Sequence, residues 1–350
     1  MANSSNGSQI NALTATRAVA AILVFIHHFG TGVFPFNKAV YFFSSGNIAV
    51  GYFFVLSGFV LYISYSNKDI SYSSYISKRI GRIVPVYWIA LLLAVLAGVI
   101  YYSYNWHSWQ AFREFTYSAL FIQAWIPSYP MCLNGPGWTI SIEMFFYFIF
   151  PFLLLLQKKN LKIFAALTVV LYTLAQYFHL KYYPDRHSLP DNIVDTVFFN
   201  PVMHINQFMI GMIGAYLYGL MKNKGKNLKW LPLVLFAVIV FLIAERPENI
   251  SYQVGLISPI FMVFIISIAL CQPRVLNYKP LVYLGEISYG IYILQQPVYK
   301  LAGNFNTLHL HIPPDIFFWL ALLLLIAIAS FSYNYIEVPL KRKITGLKLR

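Results

Sequence analysis

Hydrophobic runs close to 20 residues recur along the whole of this 350-residue chain, and no other feature constrains its fold as strongly. Inside a bilayer every backbone polar group must find an internal partner, so a run of that length reads as a spanning helix. The alternating ten-residue strands of an outer-membrane barrel are absent. Composition agrees: 10% of the residues are charged, against about 25% in a soluble domain. The expected fold is an all-α polytopic membrane protein. Ten transmembrane helices are placed at 11–29, 47–66, 83–103, 137–156, 163–180, 197–220, 231–244, 252–271, 281–299 and 315–336.

The stretch 115–126 is apolar but short for a crossing, and charge decides its place. With it re-entrant or interfacial and the N-terminus cytoplasmic, 18 of the 25 lysines and arginines fall in cytoplasmic loops and tail. These include Lys224, Lys226, Lys348 and Arg350. Six fall outside, and Arg17 lies within a span. That distribution satisfies the positive-inside rule; if 115–126 crossed, every later basic loop would face outward. Both termini are then cytoplasmic, in an inner membrane, with no cleavable signal peptide at the start. The net charge of +14 becomes a topology signal with membrane lipid as partner, and nucleic acid is not expected. Cys132 and Cys271 fall on opposite faces and cannot pair. Lacking a repeat or soluble appendage, residues 1–350 read as a single membrane-embedded domain.

Ionisable groups inside spans are costly and mark candidate sites. Arg17 and His28 stand eleven residues apart in the first span. At about 100° per residue they share one helix face, about 16 Å apart along the axis. His27 is turned away by about 100°. A snorkelling arginine and a capping histidine are the bland account; the functional one makes His28 a general base. Glu143 lies six residues into its span. It is read either as an ion-pair partner of Arg17 or as the group that orients His28. Asn134, Gly135, Pro136 and Gly137 precede it, turn chemistry whose free N–H groups can face a developing oxyanion.

Arg79 and Arg82, in KRIGRIVP, are neighbours on one face if that stretch is helical. Positive-inside anchoring accounts for them, and so does bidentate phosphate binding. Ser57 and Gly58, in GYFFVLSGF, read as close helix packing. The outer aromatics around Trp106, Trp109, Tyr117, Trp125 and Tyr129 fit an interfacial belt or a sugar-stacking platform. His107, His187, His309 and His311 are loop histidines, and no metal site is expected.

Taken together, these segments resemble the acyltransferase-3 family. LTATRAVAAILVFIHH resembles its first helix, marked by Arg, ten residues and His, matched by Arg17 and His28. GYFFVLSGF resembles its second-helix signature, and KRIGRIVPVYW its R-x-x-R loop, matched by Arg79 and Arg82. GPGWTISIEMFFYFIFP is similar to its Trp-Ser-x-Ser-x-Glu helix, through Trp138, Ser141 and Glu143, with Thr139 where Ser is frequent. YLGEISYGIYILQQPV and NYIEVPLKRK resemble its two closing motifs. Gln295 stands where many members carry a histidine, and no role is assigned to it.

The resemblance implies transfer of an acyl group, most simply acetyl, from acyl-CoA to a hydroxyl of a surface or lipid-linked glycan. Lipopolysaccharide, capsule and other envelope glycans are all open as acceptors. No permanently bound cofactor is expected; acetyl-CoA or another acyl-CoA is the donor substrate. Arg79, Arg82 and Arg17 would bind the donor, His28 would be the base with Glu143 behind it, and Trp138, Ser141 and Asn134 would contact substrate. The competing reading is a transporter exporting a lipid-linked sugar or small anion, although no second Arg-x10-His or related half is visible.

Overall fold

The computed structural model describes residues 10–101, 108–222 and 229–345. Lys224, Lys226, Lys348, Arg350, Trp106 and His107 lie outside them. The described residues form helices and turns, without a strand. In order these are α1 (Asn11–Phe29), α2 (Val40–Phe43), α3 (Ile48–Tyr65), α4 (Tyr72–Tyr101), α5 (Trp109–Ala119), α6 (Trp138–Lys159), α7 (Leu161–Tyr182), α8 (Asp191–Phe198), α9 (Pro201–Met221), α10 (Leu231–Ala244), α11 (Ser258–Cys271), α12 (Lys279–Glu286), α13 (Ser288–Phe305), α14 (Pro314–Ser332) and α15 (Val338–Thr345). Among the described residues, six helical stretches are long and apolar enough to cross a membrane. The chain is a multi-pass membrane protein. Further apolar helices, α10 and α11, have 14 residues each, while α9 and α13 carry their polar side chains inward.

Small residues set the central packing. Helices α3 and α9 cross so closely that a Cβ on Gly58 would overlap the Phe208 carbonyl, and one on Gly211 the Val55 carbonyl. Lipid tails are as apolar as leucine, so helices in a bilayer gain most from such close approach. Around this crossing, Phe54, Phe146 and Phe208 pack ring on ring.

The segment 115–126 does not cross. The 11-residue α5 is followed by a left-handed Phe121 (φ 61°) and a tucked turn at Gln123–Trp125. Gln123 holds that turn, donating to the Tyr87 hydroxyl at 2.9 Å and to the Gly137 carbonyl at 2.8 Å.

Three expected spans differ in detail. α4 begins at Tyr72, not 83, so the basic KRIGR stretch is helical. The span expected at 281–299 is broken at Ile287 between α12 and α13. The one expected at 252–271 is helical only from Ser258. Residues 251–257 are irregular and largely buried, with Gly255 at φ +96°. Irregular backbone persists at such depth only where protein groups satisfy it. One face of α7 does so. Tyr172 donates to the Leu256 carbonyl (2.7 Å), Gln176 to that of Val254 (3.1 Å), and His179 Nε2 to that of Ser251 (3.1 Å). These donors replace the helical bonds that segment lacks.

Candidate active site

Two adjoining cavities open in the bundle, and the same three guanidiniums line both. The smaller, about 110 Å³, is bounded by Arg17 of α1, Ser57 of α3, Arg79 and Arg82 of α4, Glu143 and Tyr147 of α6, and Tyr289 and Tyr292 of α13. The larger, about 370 Å³, is reached from the Arg17 end and adds Ser64, Glu286, Tyr333 and Glu337. Helical phase explains the convergence. Arg79 and Arg82 are three residues apart on a continuous helix, and Glu143 and Tyr147 are four apart, so each pair shares a face. A π turn at Tyr333–Glu337 re-phases the end of α14 and brings Glu337, 8% exposed, to the cavity wall.

The arginines are held differently. Arg79 donates to the Tyr65 hydroxyl at 3.1 Å and lies 5.5–5.8 Å from the ring centres of Tyr65, Tyr75 and Tyr147. Such an aromatic cage fixes a cation in place. Arg82 makes no hydrogen bond among the described residues. Arg17 feels the charges of Arg82, Glu143 and Glu337 together. The Glu143 carboxylate accepts a 2.5 Å hydrogen bond from Tyr147.

His28 stands one layer further along α1. It is not among the residues lining either cavity, and its ring is exposed at the opposite end of the bundle. On α3 and α13 the smaller cavity is walled by Phe53 and Tyr292, which meet edge to face with ring centres 6.0 Å apart. His28 Nδ1 lies 3.2 Å from Gln295 Oε1. The amide of Gln295 in turn donates to the Tyr292 carbonyl at 2.7 Å. His27 turns to the other side, its Nδ1 3.3 Å from the Phe43 carbonyl.

Several sequence-derived assignments change here. Glu143 does not orient His28, because its carboxylate is committed to Tyr147 inside the arginine cavity. Gln295, given no role above, is the group against the imidazole. Ser141 donates to the Phe121 carbonyl at 2.5 Å, Asn134 donates to the Ile293 carbonyl at 3.0 Å, and both are 1% exposed. Trp138, 6% exposed, packs against Phe54, Phe199 and His204. All three brace the turn and helix that carry Glu143 and do not line the cavities. The reason is phase: Ser141 is two residues from Glu143, about 200° around the helix. Tyr147, Tyr289, Tyr292, Glu286 and Glu337 were missed. Tyr147 was legible as the i+4 partner of Glu143, and Tyr289 and Tyr292 as a same-face i, i+3 pair.

Chemically, the larger cavity suits a polyanion. Three guanidiniums outnumber its two carboxylates, and guanidinium forks match phosphate oxygens. An exposed imidazole one side-chain layer away suits proton transfer.

A family model described as an acyltransferase domain matches residues 10–335, and this chain belongs to that family. YrhL of Bacillus subtilis, a candidate peptidoglycan O-acetyltransferase, is 24% identical over 95% of this chain and 55% of its own length. The peptidoglycan O-acetyltransferase OatA of Listeria monocytogenes is 24% identical over 95% of this chain and 56% of its own. A candidate acetyltransferase of Acidianus two-tailed virus is also 24% identical, over 95% of this chain and 91% of its own. The chain thus spans about half the length of the two peptidoglycan relatives. No solved structure gives a significant match.

Proposed function

We propose that this protein transfers an acetyl group from acetyl-CoA to a hydroxyl of an envelope glycan. It would do so in the inner membrane, with both termini and the Arg17 end of the bundle facing the cytoplasm. The observation that carries this reading is the convergence of Arg17, Arg79 and Arg82 on one cavity pair, one layer from an exposed imidazole. Acetyl-CoA is cytosolic and anionic, which matches an arginine-lined cavity at the end where basic loops gather. Support for a glycan acceptor comes from the peptidoglycan O-acetyltransferases among the relatives.

In this reading the CoA phosphates dock at Arg82 and the caged Arg79, and Arg17 faces the donor deeper in the cavity. The pantetheine arm carries the thioester toward Phe53 and Tyr292. His28 takes the proton of the sugar hydroxyl as its oxygen attacks the thioester carbonyl. The tetrahedral adduct collapses, the C–S bond breaks, and the proton passes to the CoA thiolate. The products are an O-acetyl ester and free CoA. General-base assistance is worth about 10²–10⁴ in rate. His28→Ala should lower transfer of labelled acetyl to glycan by that factor in membranes that contain as much protein as wild type. Transfer at the wild-type rate would overturn the proposal.

A further inference from the structure

We infer that Gln295 is a positioning residue that holds His28 as the Nδ1–H tautomer and leaves Nε2 as the basic nitrogen. Gln295 is fully buried at 0% exposure, so both ends of its carboxamide must be satisfied from within the protein. Its two ends are distinguished by their neighbours. One end lies 2.7 Å from the Tyr292 carbonyl oxygen. Only an N–H can sit there, since a carbonyl oxygen at that distance would face another acceptor. The other end is therefore Oε1, an acceptor without a proton of its own. It lies 3.2 Å from His28 Nδ1. For that contact to be a hydrogen bond, Nδ1 must carry the proton.

The consequence reaches the second ring nitrogen. A neutral imidazole carries one N–H, so a proton fixed on Nδ1 leaves a lone pair on Nε2. Among the described residues Nε2 makes no hydrogen bond, and His28 as a residue is exposed. The neighbouring rings are His27 at 5.1 Å and Phe29 at 5.8 Å between centres. Among the described residues neither ring makes a hydrogen bond to His28, and His27 Nδ1 donates to the Phe43 carbonyl. A carboxylate in this position would hold the ring and stabilise imidazolium as well. A carboxamide holds the ring without the charge. Gln295 thus selects the tautomer by hydrogen bonding alone, and its own orientation is set by the main chain of α13. The same chain of contacts ties the imidazole to Tyr292, the residue that walls the arginine cavity.

This inference rests on the reading of His28 as the base, and the experiment separates the two. The whole protein, labelled with ¹⁵N-histidine and reconstituted in lipid vesicles, is compared with His28→Asn by solid-state NMR to assign the His28 resonances. The expected neutral state shows a protonated Nδ1 and an unprotonated Nε2. Gln295→Leu, which keeps bulk but removes the acceptor, should lose that signature and lower kcat about 10²-fold. The KM for acetyl-CoA should stay within twofold, because Gln295 lines neither arginine cavity. Gln295→Glu, which restores an acceptor oxygen, should protonate Nδ1 again, with the carboxylate now favouring imidazolium. A wild-type spectrum with Nε2 protonated, or an unchanged signature in Gln295→Leu, overturns the assignment whatever the activity does. If the signature changes as expected and kcat does not fall, the tautomer assignment stands and His28 is not the base.

Discussion

Arg79 and Arg82 look equivalent in sequence, yet their surroundings predict different outcomes on removal. Arg82 is half-buried on the cavity wall and makes no hydrogen bond among the described residues. In the proposed reading it engages a CoA phosphate. One charge-assisted contact is worth about 1.5–3 kcal/mol, so Arg82→Ala should weaken CoA binding roughly 10- to 150-fold. The unfolding temperature should change little, because Arg82 gives up no protein hydrogen bond among the described residues and its charge repels that of Arg17. Arg82→Lys keeps the charge without the fork and should recover part of the affinity. Arg79→Ala removes a hydrogen bond to Tyr65 and three ring contacts. Each desolvated ring contact adds about 0.5–2 kcal/mol, so this variant should lose both affinity and several degrees of thermal stability. The assay is equilibrium binding of labelled CoA to protein purified in detergent, beside intrinsic-fluorescence melting of the same samples. Wild-type CoA binding by Arg82→Ala would refute the phosphate contact. Melting of Arg82→Ala as low as Arg79→Ala would refute the difference between the two arginines.

Three other outcomes follow from the packing. Gly58→Val drives a side chain into the backbone of α9 and should cost at least about 1–3 kcal/mol as overpacking, read as a lower melting temperature and poorer yield of inserted protein. His179→Leu strips the Ser251 carbonyl of its 3.1 Å donor and should cost about 1–3 kcal/mol; faster proteolysis within 245–257 than in wild type would report it. Burial, ahead of every other influence, pushes the Cys132 thiol up to about 11. The thiolate is the reactive form, so at pH 8 maleimide should label Cys132 slowly in folded protein and quickly once denatured, with folded-state labelling rising as pH approaches 11.

Periodicity made the helical class and most helix positions legible, because lipid forces apolar runs of spanning length. The phase of α1 placed Arg17 and His28 on one face, and the i, i+3 spacing placed Arg79 beside Arg82 once α4 proved helical. Periodicity could not say which polar group completes an irregular backbone. The 252–257 stretch is as apolar as a span, but Gly255 and the donors of α7 let it leave the helix. Nor could it assign partners across the bundle. Glu143 looked like the support of His28 because both are ionisable groups within spans; the i+4 spacing on α6 gives Glu143 to Tyr147, and the packing of α6 against α4 sets it among the arginines instead.

By itself, the sequence determined the solvent of this protein, its helical class, the charge bias of its loops and the cations and imidazole available for chemistry. Local spacing and hydrophobicity carry that information. The tertiary structure decided which of those groups meet. It gathered three guanidiniums from two helices on one cavity, turned Trp138, Ser141 and Asn134 into packing, and set a glutamine 267 residues away in sequence against His28. Such pairings depend on how helices cross and rotate, and that is fixed by close contacts such as Gly58 on Phe208, distant along the chain and invisible to any local pattern.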